Sequence, residues 1–432
     1  TKSISPETRR RQLNGSTIQD TLQMQRIATV SARVIRRTHA LLSGPPFRCS
    51  VFNLGFRPLF LLAGAFATLV IPLWLVIFTG LGSAPSYLGS VGWHAHEMLF
   101  GYTMAVVAGF LLTAVRNWTG LPTPSGPLLA GLALLWLSAR FMLVATALVP
   151  VWLVAAIDVS FLPAIAGVLL PPLWRSRNRR NLVFPFILLA LAGANLVIHL
   201  QALGMLASGS DRALQFTLNA VTLILVVIGG RVIPVFTANA LPEIRVRRLV
   251  WADVLAVGLV ILVLAIDLFP FLYALTGPVA LLAAAANLIR MWRWRSLATR
   301  RVPMLWILHL GYAWIVVALA LKGLAGMVPV VTPSAAVHAL TVGAIGSLTL
   351  GMMSRVALGH TGRTIVASTP IIAAFILINA SAIIRVVIPI AVPGFYLPGL
   401  IVAGLLWSSA FALFVIHHTP ILMQPRIDGK PG

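Results

Sequence analysis

The chain has 432 residues, of which 59% are hydrophobic and only 9% are charged, against about 25% charged residues in a typical soluble domain. Its 32 lysines and arginines outnumber 9 acidic residues, giving a formal net charge of +23. A soluble nucleic-acid-binding protein can be this basic but not this apolar. The single cysteine, Cys49, excludes a disulfide scaffold, CxxC zinc sites and cysteine-ligated iron–sulfur clusters. The composition predicts an all-α polytopic membrane protein.

Three regions differ in composition. Residues 1–50 are rich in arginine, serine and threonine and lack a long apolar run, so we expect a basic, poorly ordered cytoplasmic tail. Residues 51–420 form the predicted transmembrane domain, and residues 421–432 form a second, short cytoplasmic tail. The domain contains twelve apolar stretches of about 20 residues, the length that crosses a bilayer. They are 57–80, 93–116, 127–147, 150–172, 182–204, 213–236, 250–270, 271–290, 303–325, 333–354, 365–388 and 394–417.

Basic residues predict the orientation of these spans. Arginines concentrate in every second loop, and the intervening loops are short and nearly uncharged. Because positively charged loops tend to stay in the cytoplasm, we expect both termini to be cytoplasmic. Only four basic residues then fall on the outer side: Arg140, Arg212, Lys322 and Arg385.

The second and tenth spans share a pattern. In each, a histidine is followed after 5, 13 and 23 residues by glycine, glycine and threonine. The sixth span matches more weakly. The pattern predicts three repeats of four helices. The matched residues are His96, Gly101, Gly109 and Thr119, and His338, Gly343, Gly351 and Thr361.

Histidines gather in one layer of the predicted bundle. His94, His96, His199 and His338 lie near the outer ends of their spans, whereas His309 lies in the inner half of the ninth. Ionisable residues within a bilayer are candidates for a functional site, and imidazole commonly binds haem iron and copper. For any one of them, an interfacial histidine bonded to a backbone carbonyl is the simple alternative. His94 and His96 project roughly 200° apart around a helix, so we expect them to serve different centres.

The same layer contains acids and arginines. Glu97 could orient His94, bind a metal or relay protons. Alternatively, it could simply stabilise the first turn of its helix, where the helix dipole favours a carboxylate. Asp158 is a candidate proton relay, or an ion-pair partner for Arg140. Arg140 and Arg385 are candidates for binding anionic haem propionates, although both could instead extend towards the membrane interface.

The sequence lacks a Walker A motif, a GxGxxG dinucleotide fingerprint and a nucleophile elbow. Electrons for any redox chemistry would therefore come from a membrane quinol or a docking protein.

Several segments together resemble the NnrS family, and the resemblance covers nearly everything after residue 50. It implies a twelve-helix protein of the bacterial inner membrane that contains haem b and copper and acts in the response to nitric oxide. The segments are GFRP at 55–58, WHAHE at 93–97, TAVRNWTG at 113–120, RVIPVFT at 231–237, LHLGY at 308–312, HALTVGAIG at 338–346 and LGHTGR at 358–363.

Twelve helices with outer histidines on the second and tenth also match the layout of haem–copper oxidases and nitric oxide reductases, which is an analogy of fold. The leading hypothesis is a haem protein that binds nitric oxide and reduces it to N2O. In it, His96 and His338 hold a low-spin haem, and His94 and His199 hold a second haem or a copper ion. The remaining roles are proton supply by Glu97 and Asp158, propionate binding by Arg140 and Arg385, and a further ligand from His309.

Two alternatives remain open at this stage. One is a haem protein that binds or senses nitric oxide without turning it over. The other is a twelve-helix transporter of copper or an iron–nitrosyl species. The expected partners are nitric oxide, membrane lipid and a quinol or electron-donor protein, and no nucleic acid is expected.

Overall fold

The computed structural model describes residues 50–83 and 87–429. The expected N-terminal tail therefore lies almost entirely outside the described residues, as do residues 430–432. Within the described ranges the chain is helical without a strand, and twelve helices have the length and composition to cross a membrane. They are α1 Phe56–Phe78, α2 Gly89–Thr119, α3 Gly126–Val144, α4 Val151–Arg175, α5 Val183–Ala202, α6 Ser210–Ala240, α7 Val250–Leu268, α8 Pro270–Trp292, α9 Pro303–Leu324, α10 Pro333–His360, α11 Thr369–Ala391 and α12 Pro393–Met423.

The twelve predicted spans are confirmed. Helices form because a bilayer offers no partner for an unpaired backbone group, and a helix satisfies its own. The break between the seventh and eighth spans lies where expected: Phe269 is extended, and a 3-10 segment, Pro270–Leu275, begins α8. Four helices, α2, α6, α10 and α12, extend several residues beyond the apolar runs that predicted them.

Consecutive helices pack side by side, and α12 packs against both α11 and α1, so the last helix closes on the first. Of the twelve, α2 and α10 are the most buried and α7 and α8 the least. Exposed leucine, valine and phenylalanine side chains cover the outside of the bundle, as expected for a surface facing lipid. The residues of α2 and α10 therefore face other helices.

Both central helices contain an irregular segment. In α2, residues Glu97–Thr103 are π-helical, and in α10 residues Ala339–Gly346 are π-helical. Each segment begins one residue after the histidine that aligned the two spans, His96 or His338. A π-turn inserts an extra residue into a helix, and such turns occur frequently at functional sites. The π-segments support the equivalence of the two spans, while the full three-repeat arrangement stays a prediction.

Candidate functional site

A largely apolar cavity lies among α1, α2, α6, α10, α11 and α12, at the end of the bundle that the arginine pattern assigns to the outer side. Its volume is about 280 Å³, and three ionisable side chains line it: His94, His338 and Arg385. This histidine cavity is close in size to the smaller ligand pockets of proteins. Its few polar groups stand among apolar walls that include Trp74 and Trp407.

The imidazole of His94 is positioned by stacking. It lies on the indole of Trp74, with ring centroids 4.1 Å apart and an interplanar angle of 24°. Its Nδ1 atom is buried and has no hydrogen-bond partner among the described residues. Because a buried polar atom without a partner is costly, this nitrogen is a candidate to bind a ligand.

The imidazole of His338 is oriented by its own helix. Its Nδ1 lies 2.7 Å from the carbonyl oxygen of Ser334, one turn earlier. A carbonyl oxygen only accepts, so Nδ1 donates the hydrogen and Nε2 of the neutral ring keeps its lone pair. This arrangement is usual for histidines that bind metals, because the bond at one nitrogen fixes the tautomer at the other.

Arg385 supplies a buried cation to the same cavity. Its side chain is 6% exposed, and its guanidinium carbon lies 5.5 Å from the ring centroid of Tyr396. None of the described carboxylates forms an ion pair with it. An apolar cavity that offers two histidines and an arginine without an acidic partner could hold a ligand with a metal centre and anionic side groups.

A second group of polar residues lies on the other side of α2, and we call it the carboxylate–histidine cluster. Four helices contribute to it, and its six members are almost fully buried. They are His96 and Glu97 from α2, Arg140 from α3, Asp158 from α4, and Asn195 and His199 from α5.

Arg140 connects the two carboxylates. Its Nη1 lies 2.6 Å from Oε1 of Glu97, and its Nη2 donates to Oδ1 of Asp158. The close approach requires Gly101, since a Cβ atom there would lie 2.8 Å from Nη1 of Arg140. Trp136 completes the surroundings, with its ring centroid 5.9 Å from the guanidinium carbon and its indole nitrogen bonded to the carbonyl oxygen of Gly101.

Both ring nitrogens of His96 face acceptors. Nδ1 lies 3.0 Å from Oε1 of Glu97, and Nε2 lies 2.8 Å from Oδ1 of Asn195 and 3.1 Å from Oδ2 of Asp158. A protonated ring therefore satisfies all three contacts. With both carboxylates ionised, Arg140 together with a charged His96 ring would bring the cluster to a net charge of zero, the favourable state for buried groups.

The cluster can also hold a metal. Ligand atoms of His96, Asp158 and His199 lie within 4.8 Å of one another. Two imidazoles and a carboxylate form a donor set that divalent first-row metals accept. Binding would release the hydrogen from Nε2 of each histidine, so metal and proton compete for this cluster.

A continuous chain of hydrogen bonds runs through the cluster from Tyr87, which lies in the connection before α2. The Tyr87 hydroxyl bonds Nδ1 of His199, and Nε2 of His199 lies 3.0 Å from Oδ2 of Asp158. Asp158 in turn contacts His96, and His96 contacts Glu97. Such a chain can pass a proton from the outer end of the bundle towards Glu97.

The structure groups the four outer histidines differently from the expected pairs. His94 shares the cavity with His338, and His96 shares the cluster with His199. The structure places neither predicted pair, His96 with His338 or His94 with His199, in one site, because equivalent positions of two repeats face different neighbours. The expectation that His94 and His96 face different surroundings is confirmed.

Three further residues can be compared with their predicted roles. Arg385 lines the cavity as a propionate partner would. Arg140 faces Glu97 and Asp158 instead, which matches the alternative ion pair. His309 lies apart from both groups, with Nε2 2.9 Å from Oγ1 of Thr237 and Nδ1 2.9 Å from Oγ of Ser296. Both its nitrogens are occupied, so its role as a ligand stays a prediction without support from its surroundings.

Sequence reasoning missed Asn195 and Tyr87. Asn195 precedes His199 by one helical turn in an otherwise apolar span, and that i, i+4 spacing of polar residues was a usable signal. Tyr87 lies in a connection outside any span, where nothing in the sequence distinguishes it.

These features define an all-helical membrane protein with twelve spans, a histidine-lined cavity and a buried group of histidines and carboxylates that could bind a metal. A family profile described as "NnrS protein" matches residues 50–426. The chain therefore belongs to the NnrS family, and this membership fits a role in the nitric oxide response. No protein in the curated set matches the chain in sequence.

Proposed function

We propose that this chain is a haem protein of the bacterial inner membrane, with cytoplasmic termini, that binds nitric oxide and reduces it to N2O. The observation that carries the proposal is the histidine cavity, in which His94, His338 and Arg385 are the ionisable groups that the described residues contribute. The His94 Nδ1 atom without a partner and the fixed tautomer of His338 would suit both rings to holding a haem iron. Family membership supports the nitric oxide response.

In this proposal, Nε2 of His338 would hold the iron of haem b, the His94 ring would be a second ligand that nitric oxide can replace, and Arg385 would bind a propionate. The haem, when bound, would accept and pass on electrons from a quinol or a donor protein. The stacked Trp74 keeps the His94 ring in place, and the walls around it are largely apolar.

The carboxylate–histidine cluster supplies the protons. Reduction of two nitric oxide molecules by two electrons consumes two protons and gives N2O and water. His96 holds one proton between Glu97 and Asp158, and the hydrogen-bond chain from Tyr87 through His199 can replace it. If copper or another divalent metal binds in this protein, His96, Asp158 and His199 would be the candidate ligands.

A specific observation also favours a second candidate function, binding or sensing of nitric oxide without turnover. The cavity offers two histidines to one ligand. A haem iron that is bound by both has no free position, and such a centre usually transfers electrons or responds to a ligand that displaces one histidine.

Optical spectra of the purified full chain, expressed with added haem, test the proposal. We expect a Soret band and a sharp α-band on reduction in the wild type, and loss of most bound haem in His94→Ala and His338→Ala. His309→Ala is the matched control and should keep its haem, because both nitrogens of His309 are already bonded. Retention of an unchanged spectrum in His94→Ala and His338→Ala would contradict the assignment.

Anaerobic consumption of nitric oxide with a quinol analogue separates the two candidate functions. A reductase forms one N2O for every two nitric oxide molecules, and Asp158→Asn should slow that turnover while haem stays bound. A binding or sensing protein takes up nitric oxide in proportion to its haem and forms no N2O.

A further inference from the structure

A pocket lined almost entirely by arginines lies at the opposite end of the bundle from the histidine cavity. It has a volume of about 210 Å³, and we call it the arginine pocket. Two come from the connection between α6 and α7, and two from the connection after α8. Its lining residues are Arg245, Arg247, Trp292, Arg293 and Arg295.

The two connections are held together at the pocket. The backbone N–H of Arg247 donates to the carbonyl oxygen of Arg293 over 3.3 Å. Arg295 has a φ of 61°, a left-handed conformation that non-glycine residues rarely adopt. Such conformations cost free energy and persist where surrounding structure requires them, and Arg295 itself lines the pocket.

Within the described part of the chain, nothing neutralises the four guanidinium groups. None of the four forms an ion pair with a described carboxylate, and Nε of Arg293 is buried without a hydrogen-bond partner. The nearby Asp253 is already bonded to two other arginines, Arg248 and Arg290, at 2.7 and 2.6 Å. Asp253 belongs to α7, and Glu243, the acid of the connection between α6 and α7, does not line the pocket.

A general excess of positive charge on one side of the membrane does not explain this arrangement. The orientation rule requires basic residues in a loop, but it does not require four of them to converge on one pocket. Arg300 and Arg301 satisfy the rule from the same connection while lying outside the pocket. Convergent, unpaired guanidinium groups are the usual arrangement for binding a phosphate group.

The geometry points to a binding site for the phosphate group of an anionic phospholipid. The pocket lies at a membrane face, where α6 and α8 end. Trp292, 76% exposed at the end of α8, is of the type that lies among lipid headgroups. Basic pockets between helices at this depth bind lipid headgroups in other membrane proteins. A phosphodiester with acyl chains can place its phosphate among the arginines and its chains along the outside of α8.

Native mass spectrometry of the full chain in detergent, titrated with dihexanoyl phosphatidylglycerol, tests the proposal. We expect the double variant Arg245→Gln/Arg293→Gln to weaken lipid binding about thirtyfold. Each arginine at a membrane surface contributes roughly fivefold in affinity, and the two factors multiply. The matched control, Arg300→Gln/Arg301→Gln, removes the same charge outside the pocket and should bind like wild type. Equal weakening in both would mean that general surface charge attracts the lipid, and the site would be refuted.

Two further arms complete the experiment. Dihexanoyl phosphatidylcholine, which has no net charge, should bind much more weakly than phosphatidylglycerol. Inorganic phosphate should compete poorly, because it lacks the acyl chains; if it displaces the lipid at equal concentration, the ligand is a soluble phosphate and the lipid assignment is wrong. Should Arg245→Gln/Arg293→Gln fail to fold, Arg247→Gln/Arg295→Gln tests the same pocket, and unchanged lipid affinity there would overturn the proposal.

Discussion

Replacing Arg140 by methionine tests the charge balance of the carboxylate–histidine cluster. Arg140 is 5% exposed and lies between Glu97 and Asp158. Its removal leaves two buried carboxylates with only His96 to compensate them, a net charge of −1. Removing one partner of a buried ion pair typically costs about 3–5 kcal/mol. We expect the free energy of unfolding, measured by denaturation in mixed micelles, to fall by this amount.

A second substitution distinguishes charge from packing. Arg140→Met/Glu97→Gln returns the cluster to zero net charge, so it should recover more than half of the lost stability. Arg212→Met is the control, since Arg212 is exposed at the same end of the bundle and should cost less than about 0.5 kcal/mol. The charge argument is refuted if Arg140→Met costs no more than Arg212→Met, or if Glu97→Gln gives no recovery.

Two other predictions concern a helix contact and the pH dependence of stability. Gly230→Ala places a Cβ atom in the guanidinium of Arg290 and should lower the free energy of unfolding by about 1–3 kcal/mol. The control Gly258→Ala, with nothing within 4 Å of its Cβ, should leave stability unchanged or raise it. Thermal unfolding of the two variants and the wild type makes the comparison. Burial raises the pKa of Tyr87 above its ordinary value of 10.0, so the unfolded chain loses this proton first and stability falls as pH rises past that value. Tyr87→Phe should lose less stability than wild type between about pH 8 and pH 11; an equal loss would contradict the burial of this hydroxyl.

Much of the fold could be predicted from sequence because its determinants are local. The length of the apolar stretches predicts the twelve spans, and the proline that follows Phe269 predicts the break between the seventh and eighth. The layer of outer histidines followed from the position of each within its span. The ion pair between Asp158 and Arg140 could be predicted, because neither residue has one of opposite charge within the neighbouring turns of its own helix.

The grouping of the histidines was not predictable in the same way. Whether His94 or His96 faces His338 depends on the rotation of α2 relative to helices distant in sequence. The π-segment after His96 changes that rotation further along the helix, and π-turns have no dependable sequence signal. The tautomer of His338 depends on the carbonyl oxygen of Ser334. Every residue has such a backbone group, so the sequence carries no signal for this contact.

Ala95 is the only residue between the two histidines of α2, and this spacing has a mechanical consequence. The cavity and the cluster are the two sides of a single helical turn, so neither can be rearranged alone. A rotation that carries the His94 ring further into the cavity must turn the His96 ring away from its carboxylates. A ligand that moves the His94 ring thereby changes the contacts that His96 makes with Glu97 and Asp158, and by linkage those contacts change the affinity of the cavity equally.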